Sequence, residues 1–334
     1  MKKYVKIDID NRIYQYLVIT NSGVKSKIMR TYLDCIPCFY YQALKAARIS
    51  GADKEMQRDV LYRLSELVPS FSLDTSPAEM GRAIYAMVSK VTGKKDPYKE
   101  IKEESNKLAL KIYPNIKMKV KESENQLLAA IQLAITGNVI DFGMKDFQEI
   151  SDEIDKIVDK NFDLQITSLK EHFDYQSFYQ RLLEVQSILY LADNAGEVVF
   201  DRILIELLVN DYHKNVIYVV KGKPALNDAL VDDAISCGIN NFANIISCGA
   251  DCPGVVLKYC SPEFIRLFEE AEMIISKGQG NYEALSGENK PLFFLLIAKC
   301  SVIARHVGCN IGDFILEGNF KENNIPMETA EGKQ

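Results

Sequence analysis

Histidine is scarce: the 334 residues hold three, His172, His213 and His306. No Gly-x-Ser-x-Gly elbow occurs, and none of the three lies near a nucleophile signature, so the serine-hydrolase pattern is excluded. So few imidazoles also disfavour zinc. No Gly-Lys-Ser/Thr occurs, which excludes a Walker A loop. No apolar run approaches the ~18 residues of a membrane span; the most apolar stretch is Pro291 to Ala298. Residues 1–10 alternate polar with apolar instead of forming a continuous apolar stretch, so no secretory signal is predicted and a cytoplasmic protein is expected. An excess of basic residues is missing too: 40 Lys and Arg face 46 Asp and Glu, for a net charge of −6. That argues against a nucleic-acid binder with a globally basic surface, but leaves room for small anions in a local pocket. With 47% apolar residues and 10 prolines, the chain is not globally disordered. Its 8 cysteines are expected to be free thiols, because a chain of this length can rely on apolar cores.

The chain changes character near residue 186. Residues 1–28 stand apart as an appendage, with alternation around Asp10-Asn11 that suits a hairpin. Residues 29–186 read as a helical domain. Asp34 is placed to cap a helix running to Gly51, and Ser76-Pro77-Ala78-Glu79 is a capping box. Asp96-Pro97 opens a helix predicted to end near Pro114. Leu127, Leu128, Ile131 and Ile135 recur at helical spacing up to Gly137. Further helices are predicted over 147–158 and 174–185. From 187 to 325 strands alternate with helices. Strands are predicted at 187–192, 215–220, 244–247, 273–276 and 293–298, and a helix at 228–236. This alternation predicts a mostly parallel sheet in an α/β/α sandwich, with ligands beyond the carboxyl ends of the strands. Residues 326–334 form a polar tail.

The strand ends carry the chemistry. The first reads Asp193-Asn194-Ala195-Gly196-Glu197: two oxygen-bearing side chains, then a tight turn into a helix whose free amides favour an anion. A carboxylate with an amide oxygen suits a hard cation; an Asp that merely caps its own helix is the plain alternative. The second reads Lys221-Gly222-Lys223-Pro224 and leads to Asn227-Asp228. If the two strands are neighbours, Asp228 stands beside Asp193, and two adjacent carboxylates repel unless a proton or cation lies between them. An N-cap role is again the alternative. The third, Ser247 to Gly254, brings glycines that let backbone approach a ligand. The fourth reads Lys277-Gly278-Gln279-Gly280-Asn281-Tyr282-Glu283, a candidate phosphate cradle before a helix; Glu283 at the third glycine position rules out the dinucleotide fingerprint. The fifth ends at Lys299-Cys300. Acids, an amide, glycines and lysines thus converge on one sheet edge, as a metal ion and a phosphate require.

Cys35-Ile36-Pro37-Cys38 lies at a helix start. A redox pair, a structural zinc site and free thiols beside the active edge are its three readings, and the missing βαβ context favours the last. Asp8-Ile9-Asp10 has the paired aspartates of haloacid-dehalogenase-type phosphatases, but Arg12 stands where they have Thr or Val.

Asp34-Cys35-Ile36-Pro37-Cys38, Asp193-Asn194-Ala195-Gly196-Glu197, Asn227-Asp228, Lys277-Gly278-Gln279-Gly280-Asn281-Tyr282-Glu283 and Lys299-Cys300 resemble, in order, the motifs of the damage-control phosphatase family, long labelled domain of unknown function 89. The resemblance covers about residues 30 to 316 and points to the archaeal and bacterial branch with an N-terminal Cys-x-x-Cys. It implies a helical domain joined to an α/β/α domain, and metal-dependent hydrolysis of a small phosphorylated metabolite such as a sugar phosphate. By resemblance, Asp193, Asn194 and Asp228 hold a divalent metal: manganese, magnesium, cobalt or nickel, with no nucleotide cofactor. Lys277, Gly278, Gly280, Asn281, Glu283 and Lys299 are the matching phosphate-side residues, with Asn194 shared. Glu197 is the candidate for positioning water; direct attack by Asp193 is the mechanistic alternative. Two other functions stay open: a regulatory protein that binds metal and phosphate without turnover, and a carboxyl methyltransferase. The branch proposed to methylate carries Arg-Thr-x-Lys, of which only Lys299 survives in Leu296-Ile297-Ala298-Lys299.

Overall fold

A computed structural model describes residues 28–137 and 172–319 in full, together with the backbone pairing of three N-terminal strands. Those strands, β1 (Lys3–Ile9), β2 (Ile13–Ile19) and β3 (Lys25–Ser26), form a small antiparallel sheet, with Ile9 opposite Ile13. The helix expected over 147–158 and the polar tail lie outside the described residues. The chain is tied to the body from Ile28 onward. Ile28 packs against Gly287, and the Met29 amide donates to Ser286 Oγ at 3.2 Å.

Five helices follow: α1 (Cys35–Ile49), α2 (Lys54–Leu67), α3 (Pro77–Thr92), α4 (Lys99–Glu122) and α5 (Gln126–Thr136). Ser76 caps α3 by accepting from the Glu79 amide, as its capping box predicts. Asp34 does not cap α1: it has helical backbone angles and pairs instead with Arg305 at 2.5 Å. Helix α4 does not stop at Pro114 but runs through it to Glu122. Proline removes one amide bond there, while Ile112, Ile116 and Val120 keep one continuous buried stripe. Burial of that stripe outweighs the local loss.

Then come α6 (Tyr175–Glu184), β4 (Ser187–Leu191), α7 (Glu197–Asn210), β5 (Asn215–Val220), α8 (Val231–Ser236) and β6 (Asn244–Ser247). They are followed by α9 (Pro262–Glu270), β7 (Ile274–Lys277), α10 (Gly278–Leu285), β8 (Leu292–Ile297), α11 (Ser301–Val307) and β9 (Phe314–Gly318). The second sheet has six strands in the order β6-β5-β4-β7-β8-β9, parallel except for β9, which runs antiparallel to β8 and was not among the predicted strands.

Both faces of this sheet are buried. Tyr190, Phe293 and Leu295 face one apolar core with α4, α5 and α7; Leu191, Phe294 and Leu296 face another with α1, α3 and α10. The helices before residue 186 are therefore shared between the two layers. The fold is α/β, a helix–sheet–helix sandwich. From β4 the chain winds outward through β5 and β6, then returns to the other flank of β4 as β7. The crevice between the carboxyl ends of β4 and β7 is thus the switch point, where open α/β sheets take ligands.

Candidate active site

Asp193 and Asn194 leave β4 at that switch point. The loop after β5 comes back against them. Asn194 and Asp228 form an antiparallel bridge, the Ala195 amide donates to Asn227 O at 2.9 Å, and the Ala229 amide donates to Asp193 O at 2.8 Å. This bridge explains why α8 starts at Val231 and not near Asp228: the backbone of Asp228 is already paired with the β4 tip. Asp228 is therefore not an N-cap; Leu230 holds that position. Asp228 stands beside Asp193 as the sequence predicts, near enough for its charge to raise the Asp193 carboxyl.

Across the crevice β7 runs straight into α10, so Gly278 to Asn281 form the first turn of a helix and not a separate loop. Gly278 has φ +80°, and a Cβ built on it would lie 1.9 Å from Asp193 Oδ2. Only glycine lets the backbone come this close. Gly254, from the third strand end, abuts Gly280 in the same way, and its amide hydrogen-bonds the Asp228 carboxylate. Four of the five strand ends thus touch one another. The fifth contributes Lys299, which is exposed, with its charge acting on Asp193.

The charges beneath this surface are arranged in pairs. Lys277 is fully buried. Its ammonium sits 2.6 Å from Asp201 Oδ1 and 3.4 Å from Glu197 Oε2, so it is turned into the protein. Asp201 also accepts from the hydroxyls of Tyr190 at 2.7 Å and Tyr218 at 2.8 Å. Glu197 accepts from Asn194 Nδ2 at 2.6 Å, and the same amide reaches Asp193 Oδ2 at 2.9 Å. Lys221 lies 3.5 Å from Asp228 Oδ2 and donates to Asn281 Oδ1 at 3.2 Å. Asn281 in turn donates to the backbone oxygens of Ala192 and Lys277, tying α10 to both strand ends. Glu283 accepts from Gln279, and burial pushes its carboxyl up to about 7.

Burial raises the Asp193 carboxyl, and repulsion from Glu197 and Asp228 adds to it. Asp228 is raised by burial as well, against the pull of Lys221. Asp228 Oδ2 is buried without a hydrogen bond. Four buried carboxylates, on Asp193, Glu197, Asp201 and Asp228, face two buried ammoniums, on Lys221 and Lys277. The surplus equals the charge of one divalent cation. Among the described residues no three His, Cys, Asp or Glu side chains converge as a metal cage; the candidate set is two carboxylates and an amide. That donor set fits magnesium-like ions, which keep several waters and take one or two carboxylates plus substrate phosphate.

Asp201 and the two tyrosines had no role in the sequence reading, and Lys221 stood there only as part of the second strand end, without a partner. Asp201 follows Glu197 by four residues on α7, so the two share one face, and Tyr190 pairs with Tyr218 in the β4–β5 register. Those spacings were legible, but their burial was not. The eight cysteines are free. Burial pushes Cys35 up to about 11 and raises Cys38 as well, the opposite direction from an activated redox thiol.

Residues 31–315 match the damage-control phosphatase ARMT1-like domain. The chain belongs to this family. Damage-control phosphatase PH1575 of Pyrococcus horikoshii is 34% identical over 282 residues, covering 84% of this chain and 94% of the relative. A damage-control phosphatase of Archaeoglobus fulgidus is 30% identical, covering 84% and 96%. An uncharacterized protein of Methanocaldococcus jannaschii, MJ0202, is 35% identical over 85% of this chain and 93% of its own. The crystal structure of the PH1575 protein, described as a DUF89 family member, superposes with a TM-score of 0.79 at 31% identity, over 87% of this chain and 99% of that one. The ARMT1-like match begins at Thr31 and takes in all five strand ends of the site. No described helix of this family member is long and apolar enough to cross a membrane.

Proposed function

We propose that the protein is a metal-dependent phosphatase that hydrolyses a small phosphorylated metabolite such as a sugar phosphate. The observation that carries this reading is the meeting of Asp193 and Asp228 at the switch point, with the first turn of α10 pressed against the Asp193 carboxylate. The names of the archaeal relatives support it. Asp193, Asn194 and Asp228 would hold one divalent cation, manganese, magnesium, cobalt or nickel, through oxygen. When bound, such an ion polarises a phosphoryl oxygen and lowers the pKa of an attacking water.

The chain's own groups do the rest. Lys221 keeps Asp228 ionised and in place. Asn194, held by Glu197 through its amide nitrogen, keeps its oxygen available as a ligand. Lys277 anchors Glu197 from below, which makes Lys277 a positioning residue and not a phosphate contact. The first-turn amides of α10 and the exposed Lys299 offset charge on the equatorial phosphoryl oxygens. Glu197 is close enough to the ligands to orient water. Water is consumed, the ester P–O bond breaks, and alcohol and phosphate leave.

The test is hydrolysis of p-nitrophenyl phosphate across magnesium, manganese, cobalt and nickel, with Asp193→Ala and Asp228→Ala as variants. Each variant should lose metal-dependent turnover while keeping its circular dichroism spectrum. An Asp228→Ala protein that turns over at the parent rate with equal metal affinity overturns the site. Metal and phosphate binding with no turnover on any ester would instead favour a regulatory protein.

A further inference from the structure

Beside the loop that carries Asp228 lies a cavity of about 400 Å³, a volume suited to a small metabolite. One wall is α3 with the turn into α4, and the other is the pair of loops after β5 and β6. Two residues place it next to the site. Leu226 lines it two positions before Asp228. Tyr85 also lines it, and its hydroxyl, donating to Gln42 Oε1 at 2.6 Å, lies within electrostatic reach of Asp228 and Glu283.

The charge of this cavity runs against that of the whole chain, which is −6. Its two acids are already engaged. Asp251 is held by both arms of the Arg82 guanidinium, which also stacks on Tyr259 at 4.4 Å. Asp96 is held by the buried Lys102 ammonium at 2.9 Å. Lys94, Lys95 and Lys223 line the same cavity at its exposed rim, and among the described residues no ion pair engages any of them. Three ammoniums facing one concave space raise the local concentration of anions.

We propose that this cavity receives the leaving-group half of the substrate, and that this half carries a second anionic group, a phosphate or a carboxylate, met by Lys94, Lys95 and Lys223. The proposal takes the position of the reacting phosphate from the phosphatase reading. Tyr85 and Tyr98 then flank the carbon skeleton between the two anions. A substrate of this class has charge at both ends, and the three lysines read the far end.

Three esters decide it: a hexose bisphosphate, a phosphoglycerate, and a hexose monophosphate whose far end is neutral. They are compared on the parent, on a Lys94→Ala/Lys95→Ala double variant and on Lys223→Ala. All three lysines are exposed, so the variants should fold. Each exposed pair is worth a factor of about 2 to 5. The parent should therefore prefer at least one doubly anionic ester by about tenfold in kcat/KM, and each variant should lower that preference by more than about 1.5-fold, the double variant most, through KM. Preference for the bisphosphate assigns the second anion as phosphate, and preference for phosphoglycerate as carboxylate. Hydrolysis of all three esters without preference, or variants whose preference stays within 1.5-fold of the parent, overturns the cavity assignment and leaves the phosphatase reading standing. Calorimetric binding of hexose bisphosphate that the lysine variants lose, with no ester hydrolysed, upholds the cavity and sinks the catalysis. Neither binding nor hydrolysis sinks both.

Discussion

Replacing Gly278 by alanine perturbs the site at its tightest point. Two costs add. An alanine at φ +80° enters the left-handed region, at about 1–2 kcal/mol. Its Cβ would also sit 1.9 Å from Asp193 Oδ2 and 2.2 Å from Cγ, closer than any non-bonded carbon and oxygen can stand. Either the carboxylate swings aside by about 1 Å, which costs catalysis on the order of 10²-fold, or α10 shifts and the overpacking adds about 1–3 kcal/mol. Gly51 supplies the reference, because its φ is +77° with nothing within 4 Å of the added methyl. Gly51→Ala therefore shows the backbone cost alone.

The assay is denaturant unfolding of both variants together with turnover of p-nitrophenyl phosphate in manganese. Gly51→Ala should lose about 1–2 kcal/mol of stability with normal turnover. Gly278→Ala should lose at least that much, and its turnover should fall by about 10²-fold or more. A third variant separates contact from strain. In an Asp193→Ala background the clash is gone, so adding Gly278→Ala should cost no more than Gly51→Ala does. Strict additivity in that cycle together with parental turnover by Gly278→Ala would refute the claim that Gly278 and the Asp193 carboxylate are in contact.

Lys277→Met should destabilise by about 3–5 kcal/mol, because it strands the buried Asp201 charge. The double variant Lys277→Met/Asp201→Leu should be more stable than Lys277→Met alone in thermal melts, and a less stable double would contradict the pairing. Burial by itself would raise the Glu206 carboxyl, but hydrogen bonds from Lys117, Tyr113 and Arg202 outweigh it and hold the carboxyl below its usual range. A depressed folded pKa gives stability that is present above the unfolded value of about 4.3 and lost as pH falls through the folded one. Glu206→Gln should therefore cost about 1–3 kcal/mol at pH 7, and the gap to the parent in urea unfolding should close toward pH 3; a gap constant with pH would remove the ionic account. Because Glu206 joins α7 to Lys117 and Tyr113 of α4, loss of protection in hydrogen exchange should appear first along α4.

Much of this site was legible because strand ends announce themselves. A short apolar strand followed by Asp-Asn-Ala-Gly or Lys-Gly-Gln-Gly marks both the end of a strand and the chemistry placed there. Parallel order then brings those ends to one edge. What the residues could not tell was which way each side chain turns. Lys277 closes β7 beside two glycines and reads as a phosphate contact. It is buried because β7 is an inner strand and Asp201 waits on α7 beneath it. Asp228 looks like the cap of a helix until its backbone is seen paired to Asn194. The run through Pro114 and the antiparallel β9 were hidden for a related reason: local signals favoured a stop, and tertiary burial overrode them.

The charge balance of the crevice shows how far this limit reaches. In sequence, Asp193, Glu197, Asp201 and Asp228 are four of 46 acids, and Lys221 and Lys277 two of 40 bases; the strand-end motifs single out all but Asp201, yet nothing in them tells which are buried or which pairs with which. Only the fold places these six together out of water. Each lysine then has an assigned partner, Lys277 with Asp201 and Lys221 with Asp228. Lys277 also reaches Glu197 at 3.4 Å, and Glu197 and Asp193 both accept from the Asn194 amide. An amide satisfies hydrogen bonding but does not neutralise charge, so the four carboxylates still outnumber the two ammoniums, and burial with the repulsion of Glu197 and Asp228 holds the Asp193 carboxyl up until a further cation joins it. A purely structural ion-pair network would not leave that surplus at the one crevice where the strand order reverses. The imbalance is therefore the best physical reason to expect a divalent ion there. It makes a specific demand: divalent cation should raise the melting temperature of the parent and have little effect on Asp193→Ala.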